Sequence, residues 1–547
     1  MSINDILSLG KTALMANQTA IRTTSNNISN VNTEGYSRQR VVFNSDSPVR
    51  IGEHILGMGV EIEGIERIFD RFIQSQVVDA GEDMSMFDAS YRTLSRLEAV
   101  FNEAKGAGLD DALTVFFGAL QDVSTTPQSY AARSALLSAA NVLADRINLT
   151  NSRVTGEINV IETELAGSVS EVNDITRQIA DLNDRIHTME GGGGQANSLR
   201  DQRDQLIRDL GSYLDITAIT GSNGMIDVLT SGGGSLVAGS SSSSLSTAAN
   251  ADNHGYSDIM LGSVNITGSI RSGSMRGLLD VRDNVERDIL DRLDRLSATL
   301  TKEFNVLHNA GFGLDSLTGL DLFNPLTPAA SLNPASTGGA GAAASVLTLS
   351  AVTLDSYEIR FTGAATFNIR NTTTNTDVSI GNAYASGANI DFDGLRVVIT
   401  DVTGAPAAGD RFSINITEGS AAGFGVALTD ANSFAAATSS AALPGDNTNV
   451  LAMIGLGSSK VLSGGLSTFY SYYSAMVSDV GTATAFAEAE LKATGSVLAE
   501  LENYRESVSG VSMDEEGISL IKYQRAYEAA ARIISTVDEM YLTLLNL

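Results

Sequence analysis

The chain has 547 residues and a formal charge of −29, with 64 acidic against 35 basic side chains. That sign repels a phosphate backbone and argues against nucleic-acid binding, while 43% hydrophobic residues are enough for ordinary cores and exclude a wholly disordered chain. Cysteine is absent, which removes disulfides, thiolate metal clusters and cysteine nucleophiles, and the sequence has no eighteen-residue apolar run that would insert in a membrane.

By length the chain holds roughly three or four domains. The first helix is expected from about Ile3 to Asn30. Leu7, Leu14, Ile21 and Ile28 recur every seven residues, and Ile6, Ala13 and Ala20 widen the stripe. This is the pattern of a helix that buries one seam against other helices. Asn32-Thr33-Glu34-Gly35 reads as a stop and turn, with the glycine free to take positive φ. Residues 36–70 look extended and looped. Segment 1–70 is therefore an assembly helix followed by an extended piece, expected to pair with 466–547. Met1 to Gly10 has Asp5 before any basic residue and no continuous apolar core, so it is not read as a cleaved secretory signal.

Residues 71–215 form a helical shoulder. Periodicity resumes near Met84, with Phe87, Tyr91, Leu94, Leu97 and Phe101 on one side, and a short helix covers about Asp110 to Val123. After Pro127 a long helix runs to Met189. Ile158, Leu165, Val172, Ile179 and Ile186 make one row of a coiled-coil seam. Ile161, Ile175, Leu182 and Met189 make the other, with Ser168 as a polar gap. Gly191 to Gly194 end this helix, and a shorter one, about Ser198 to Tyr213, folds back beside it.

Residues 216–270 turn to Gly, Ser and β-branched types, a small β element. Segment 271–324 returns to helix: Arg276 to Asn309 carries Ile289, Leu293, Leu296, Leu300, Phe304 and Leu307 on one face. Segment 325–465 is an inserted β-rich domain. It begins with a Pro/Gly/Ala linker, Pro325 to Ala344, and then alternates with period two at Tyr357/Ile359/Phe361, Leu395/Val397/Ile399 and Phe412/Ile414/Ile416.

The last segment, 466–547, is helical with a break around Ser509-Gly510. Ser512 and Glu515 read as a capping box. Leu520, Tyr527, Ile534 and Tyr541 recur every seven residues; so do Tyr523, Ala530, Val537 and Leu544, three positions later. Proline is absent from 1–47 and 445–547, in keeping with helices at both ends. The fold class is mainly α with inserted β: terminal coiled-coil and helical-bundle domains around nested β-rich middle domains.

No catalytic, cofactor or metal site is expected. His54, His187, His254 and His308 are scattered, and each reads as an ordinary surface or edge residue. Gly191 to Gly194 lack the Lys-Ser/Thr of a phosphate loop. Asp391-Phe392-Asp393-Gly394 lacks the remaining ligands of a calcium loop and reads as a β-turn. The heptad stripes at both ends point instead to a structural subunit. A terminal helix with one wet apolar seam frays, so the ends are expected to order on assembly.

The run Ser25-Asn26-Asn27-Ile28-Ser29-Asn30-Val31-Asn32-Thr33-Glu34-Gly35-Tyr36 resembles the N-terminal signature of bacterial flagellar rod, hook and hook-associated proteins. Its motif residues here are Ser25, Asn26, Asn27, Asn30, Asn32, Thr33, Gly35 and Tyr36. Tyr36 to Arg40, Gly57 to Val60 and Ile65 to Phe72 follow. Near the other end come Ser509 to Glu516, Leu520 to Tyr527, Ile534 to Met540 and Leu544 to Leu547. Together they resemble the FlgK-type hook-associated protein 1 family, the hook–filament junction proteins. The resemblance implies a secreted motility protein, exported through the type III route without signal cleavage. It implies self-association in a ring on the extracellular flagellum between hook protein and hook-associated protein 3, and a FlgN-type export chaperone on the C-terminal helix. The expected interface is Leu7, Leu14, Ile21 and Ile28 with the two C-terminal rows, and Ile534→Asp is expected to weaken chaperone binding and junction formation alike. The alternatives are a hook or filament subunit of the same axial family or, in a different class, a secreted adhesin.

Overall fold

In the computed structural model the described residues are 3–51, 54–101, 108–221 and 223–545. The chain opens with α1 (Ile3–Ser29) and turns at Gly35, whose φ of +75° is open to glycine. Strands β1 (Gln39–Ser45), β2 (Val49–Ile51), β3 (His54–Leu56) and β4 (Val60–Arg67) follow. β1 and β4 form an antiparallel ladder from Gln39 opposite Arg67 to Ser45 opposite Val60, with a bulge at Val42/Phe43.

Helix α2 (Arg71–Phe101) begins well before Met84, where the apolar periodicity becomes visible. The reason is a cap: Asp70 Oδ1 accepts from the N–H groups of Phe72 at 2.8 Å and Ile73 at 3.3 Å. α3 (Leu109–Thr125), the 61-residue α4 (Tyr130–Glu190) and α5 (Asn197–Gly211) complete the shoulder. At 1.5 Å per residue α4 is about 90 Å long, and it forms the spine of the helical body. Its rows are closed inside: Ile158, Ile161, Leu165, Val172, Ile179 and Ile186 are fully buried. Met189, expected as the last residue of the second row, is 62% exposed, so that row is closed only as far as Leu182.

Strands β5 (Ile216–Thr220), β6 (Ile226–Thr230), β7 (Ser235–Ala238) and β8 (Ser241–Ser242) form one small antiparallel sheet, while β9 (Leu245–Ala249), β10 (Ser257–Leu261) and β11 (Val264–Asn265) form another. Both pack against α4. The return segment is α6 (Ser274–Asp280), a π-helical turn (Val281–Glu286) and α7 (Arg287–Ala310), rather than one uninterrupted helix.

The inserted domain is a β-sandwich. β12 (Ala329–Leu332), β13 (Ala340–Val346), β14 (Ser356–Gly363), β15 (Thr366–Asn371), β16 (Thr376–Ala383), β17 (Asn389–Phe392), β18 (Leu395–Asp401) and β19 (Arg411–Asn415) divide into two antiparallel sheets. One has the order β12-β19-β14-β15-β16, the other β13-β18-β17. The stretch expected to be a linker supplies β12 and β13. Their alanines and glycine carry little apolar alternation, but the ladders with β19 and β18 fix them by backbone hydrogen bonds. Asp393 and Gly394, both at positive φ, make the two-residue hairpin between β17 and β18.

Helix α8 (Thr448–Gly455) leads to α9 (Phe469–Ser509) and α10 (Met513–Leu545). α9 runs antiparallel to α2, with Phe101 near Tyr473 and Phe87 near Phe486, each at 6.4 Å between ring centres. No helix among the described residues is long and apolar enough to cross a membrane.

His308 corrects the expectation of a surface residue. It is buried, its Nδ1–H donates to Leu320 O at 2.6 Å, and its Nε2 accepts from Ala435 N–H at 3.1 Å. Burial lowers its pKa, so the neutral ring pins two loops to α7.

Candidate assembly site

The two ends of the chain meet. α1 and α10 are antiparallel: Asn27 of α1 touches Glu516 of α10, and the Gly10 backbone lies against Ile534. A Cβ on Gly10 would come within 2.9 Å of Ile534 Cγ1, so glycine permits the close approach. The residues closed between the helices are small or polar: Gly10, Ala16, Ala20, Thr23, Thr24 and Asn27 on α1, with Glu516, Ala530 and Val537 on α10.

The expected interface residues sit around this contact. Leu14, Ile21, Ile28, Leu520, Tyr523, Tyr527 and Ile534 are half-buried along its flanks. Leu7 is 37% and Tyr541 47% exposed. Leu544 belongs to α10, but its side chain lies outside the described residues, as do Asn546 and Leu547 entirely. Ile518 is 70%, Ile521 59% and Leu542 60% exposed, so the helix pair carries an uncovered apolar flank.

At its inner end the pair is tied to the body by a polar node. Asn27 is buried and uses its full hydrogen-bonding capacity. Its Nδ2 donates to Gln39 O at 2.9 Å and to Glu516 Oε2 at 3.0 Å. Its Oδ1 accepts from Tyr36 O–H at 2.8 Å and from Gln39 N–H at 3.0 Å. One side chain thus joins α1, β1 and α10. Arg38 completes the corner: Nε pairs with Glu516 and Nη1 with Glu515, both at 2.7 Å, while its N–H donates to Ser509 O at 2.9 Å. The Ser512 hydroxyl accepts from Glu515 N–H at 3.5 Å, while the Glu515 carboxylate is turned to Arg38.

A second layer fixes the hairpin to α5. Arg67 Nη1 bridges Asp201 at 3.0 Å and Asp204 at 2.6 Å, and its guanidinium lies 4.0 Å from the Phe69 ring centre. Asp201 also accepts from Ser37 N–H, and Asn197 Nδ2 donates to Ile65 O at 2.7 Å. Burial, then the charges of Asp201 and Glu516, push the Tyr36 hydroxyl up to about 12, so it stays protonated and donates. A Cβ on Gly35 would meet the side chains of Arg208 and Gln205.

Of the signature residues, Asn27, Gly35 and Tyr36 form this node. Asn30 and Thr33 build the turn before it: Asn30 Nδ2 donates to Asn26, and Thr33 N–H donates to Asn30 O. Ser25 O accepts from Ser29 Oγ, and Asn32 is exposed. Arg38, Arg67, Asp201 and Glu516 complete the node without being marked by the heptad rows or the signature positions. Arg38 and Glu516 lie inside signature runs; Asp201 carries no signal of its own among so many acidic residues.

The chain resembles proteins of known kind along its whole length. Residues 94–323 match the family profile described as the flagellar hook-associated protein FlgK helical domain. Residues 7–36 match that of flagella basal body rod proteins, and 505–547 that of the flagellar basal body rod FlgEFG protein C-terminal region. The flagellar hook-associated protein 1 of Escherichia coli K12 is 29% identical over 554 residues, with all of both chains covered. That of Bacillus subtilis 168 is 25% identical, with 99% of this chain and 97% of the relative covered. The flagellar hook junction protein FlgK of Burkholderia pseudomallei shares the fold at a TM-score of 0.67 and 20% identity, covering 79% of this chain and all of that one.

Proposed function

We propose that the chain is a FlgK-type hook-associated protein, a structural subunit of the flagellar hook–filament junction, and that it polymerises through the uncovered flank of its α1–α10 pair. The observation that carries this reading is the set of exposed residues Ile518, Ile521 and Leu542, which share one side of α10 on a chain of charge −29. Like-charged subunits repel, so contact is favoured where charge gives way to apolar surface. The intramolecular contact uses small residues and leaves the larger ones beside it for neighbours.

In this reading copies associate in a ring at the distal end of the hook. Hook protein lies on one side and hook-associated protein 3 on the other. The terminal pair lines the inner tube, and the β-sandwich faces outward into the medium. A FlgN-type chaperone covers the α10 flank before export, by helix-in-groove recognition. The chain works outside the cell as a structural part with no catalytic role, and leaves unfolded through the flagellar export channel without signal cleavage.

The test is a double variant, Ile521→Glu with Leu542→Glu, returned to a strain lacking the gene. Ile534 is a poorer target than the sequence implies, because it packs on Gly10 and its loss also disturbs the monomer. Hooks without filaments, flagellin shed to the medium and an unchanged circular dichroism spectrum of the purified variant are expected. Normal filaments would remove this flank from the interface.

A further inference from the structure

The return segment and α2 hold two carboxyl groups that the assembly reading does not use. We propose that α2 is clasped to the helical body by two un-ionised carboxyls, Glu286 and Glu82, and that this clasp loosens as the surrounding medium passes from acid through neutral pH.

Glu286 ends the π-helical turn 281–286, which packs against α2 and α4. It is fully buried, and neither carboxyl oxygen has a hydrogen-bond partner. The nearby cations are paired with other acids, although Arg96 Nη2 is buried without a hydrogen-bond partner. Arg282, one turn earlier, gives Nη1 to Glu162 at 2.6 Å and to Ser257 O at 2.8 Å, and its other nitrogens to Asp283 at 2.7 and 3.0 Å. Arg96 of α2 pairs with Glu157 at 3.0 Å and Glu164 at 3.3 Å, both on α4. On the flanking helices Arg276 is held by Asp280 and Arg287 by Asp291. The Thr93 hydroxyl of α2 is likewise buried without a partner. A carboxylate here would be a desolvated charge beside Glu157; the neutral acid avoids that cost.

Glu82 sits on the opposite part of the same seam. Its Oε1 accepts from Ile216 N–H at 3.0 Å, its backbone carbonyl accepts from Gly273 N–H at 3.1 Å, and its stem lies against Gly211 at the end of α5. The titratable groups around it share its sign: Asp79 and Asp83 on α2, and Asp215 after α5. Asp83 is engaged by Ser272 Oγ at 2.7 Å and Asp215 Oδ1 by Arg271 N–H at 2.9 Å, while Asp215 Oδ2 is buried without a partner. Among the described residues neither Glu82 nor Glu286 is ion-paired.

Burial is the largest influence on both and pushes each from 4.5 to about 8. For Glu82 the Ile216 N–H pulls down, while Asp79, Asp215 and Asp83 push up; for Glu286 Glu157 pushes up and Arg96 pulls down. A carboxyl whose folded pKa lies above its unfolded value stabilises fully below the unfolded value. That stability drains away as pH rises through the folded one, so the window is pH 4.5 to about 8.

Hydrogen exchange of residues 71–101 in the full chain, from pH 5 to 9.5 and corrected for intrinsic rates, tests the clasp. In the wild type the opening constant of α2 should climb by up to about tenfold per pH unit for each carboxyl within the window. Glu286→Gln and Glu82→Gln should flatten the climb one after the other, and the double variant should melt above the wild type at pH 9. A wild-type profile flat across the window, or an equal climb in the double variant, overturns the proposal. If the amides prevent folding, infrared spectroscopy of the wild type decides. A protonated-carboxyl band at pH 7 that fades by pH 9.5 supports the clasp, and its absence at pH 7 refutes it. None of these readouts depends on junction assembly.

Discussion

The long helix α4 and the terminal pair carry the same seven-residue apolar repeat and use it in different ways. Along α4 both rows are closed inside the chain up to the exposed Met189 at its end, because α2, α3, α5, α7 and the small sheets surround the spine. At the ends each helix has one partner helix, with the β1–β4 ladder packed beside the pair. The covered face is the small-residue one, which lets the backbones approach closely, while leucines and isoleucines remain beside it. A heptad repeat thus states that a face wants burial, and the number of neighbouring elements decides whether the burial happens within the chain.

Three substitutions bear on that contrast. Leu165→Ala leaves a cavity in a spine that cannot collapse, and should cost about 2–5 kcal/mol in urea unfolding; a smaller loss would mean that the α4 seam is as loosely held as the ends. Asn27→Ala strands the partners of four hydrogen bonds at the corner of α1, β1 and α10. It should cost about 1–3 kcal/mol for a buried group left unsatisfied, with the loss read as faster hydrogen exchange in α1 and α10 and little change in α4. Gly10→Ala presses a methyl on Ile534 and should shift stability by about 1 kcal/mol or less where the side chain can turn aside. A larger effect would show that the pair is as rigidly packed as the spine.

Much of the fold is legible in the residues. The seam of α4, the break at Ser509-Gly510, the glycine turn at Gly35 and the alternating strands of the sandwich all follow from local periodicity or a glycine. Other features leave no periodic trace. α2 starts at Arg71 because Asp70 caps it, thirteen residues before its apolar face becomes regular at Met84. β12 and β13 are made of small residues and exist through their ladders. The π-helical turn is invisible in a pattern that reads as one helix. His308 is buried because two loops close over it, which no count of neighbours along the chain reveals.

At the assembly site the signature run marks Asn27, Gly35 and Tyr36 but says nothing of Asp201, which lies 164 residues from the Ser37 N–H it accepts from. By itself the sequence determined the helical ends, the nested β insertion and the family resemblance, because each rests on spacing within one segment. The tertiary structure alone decided which flank of the terminal pair is covered, which arginine meets which acid, and which carboxyls are shut away from water. Those outcomes depend on which distant segments arrive at the same place, and burial and charge pairing are properties of that place.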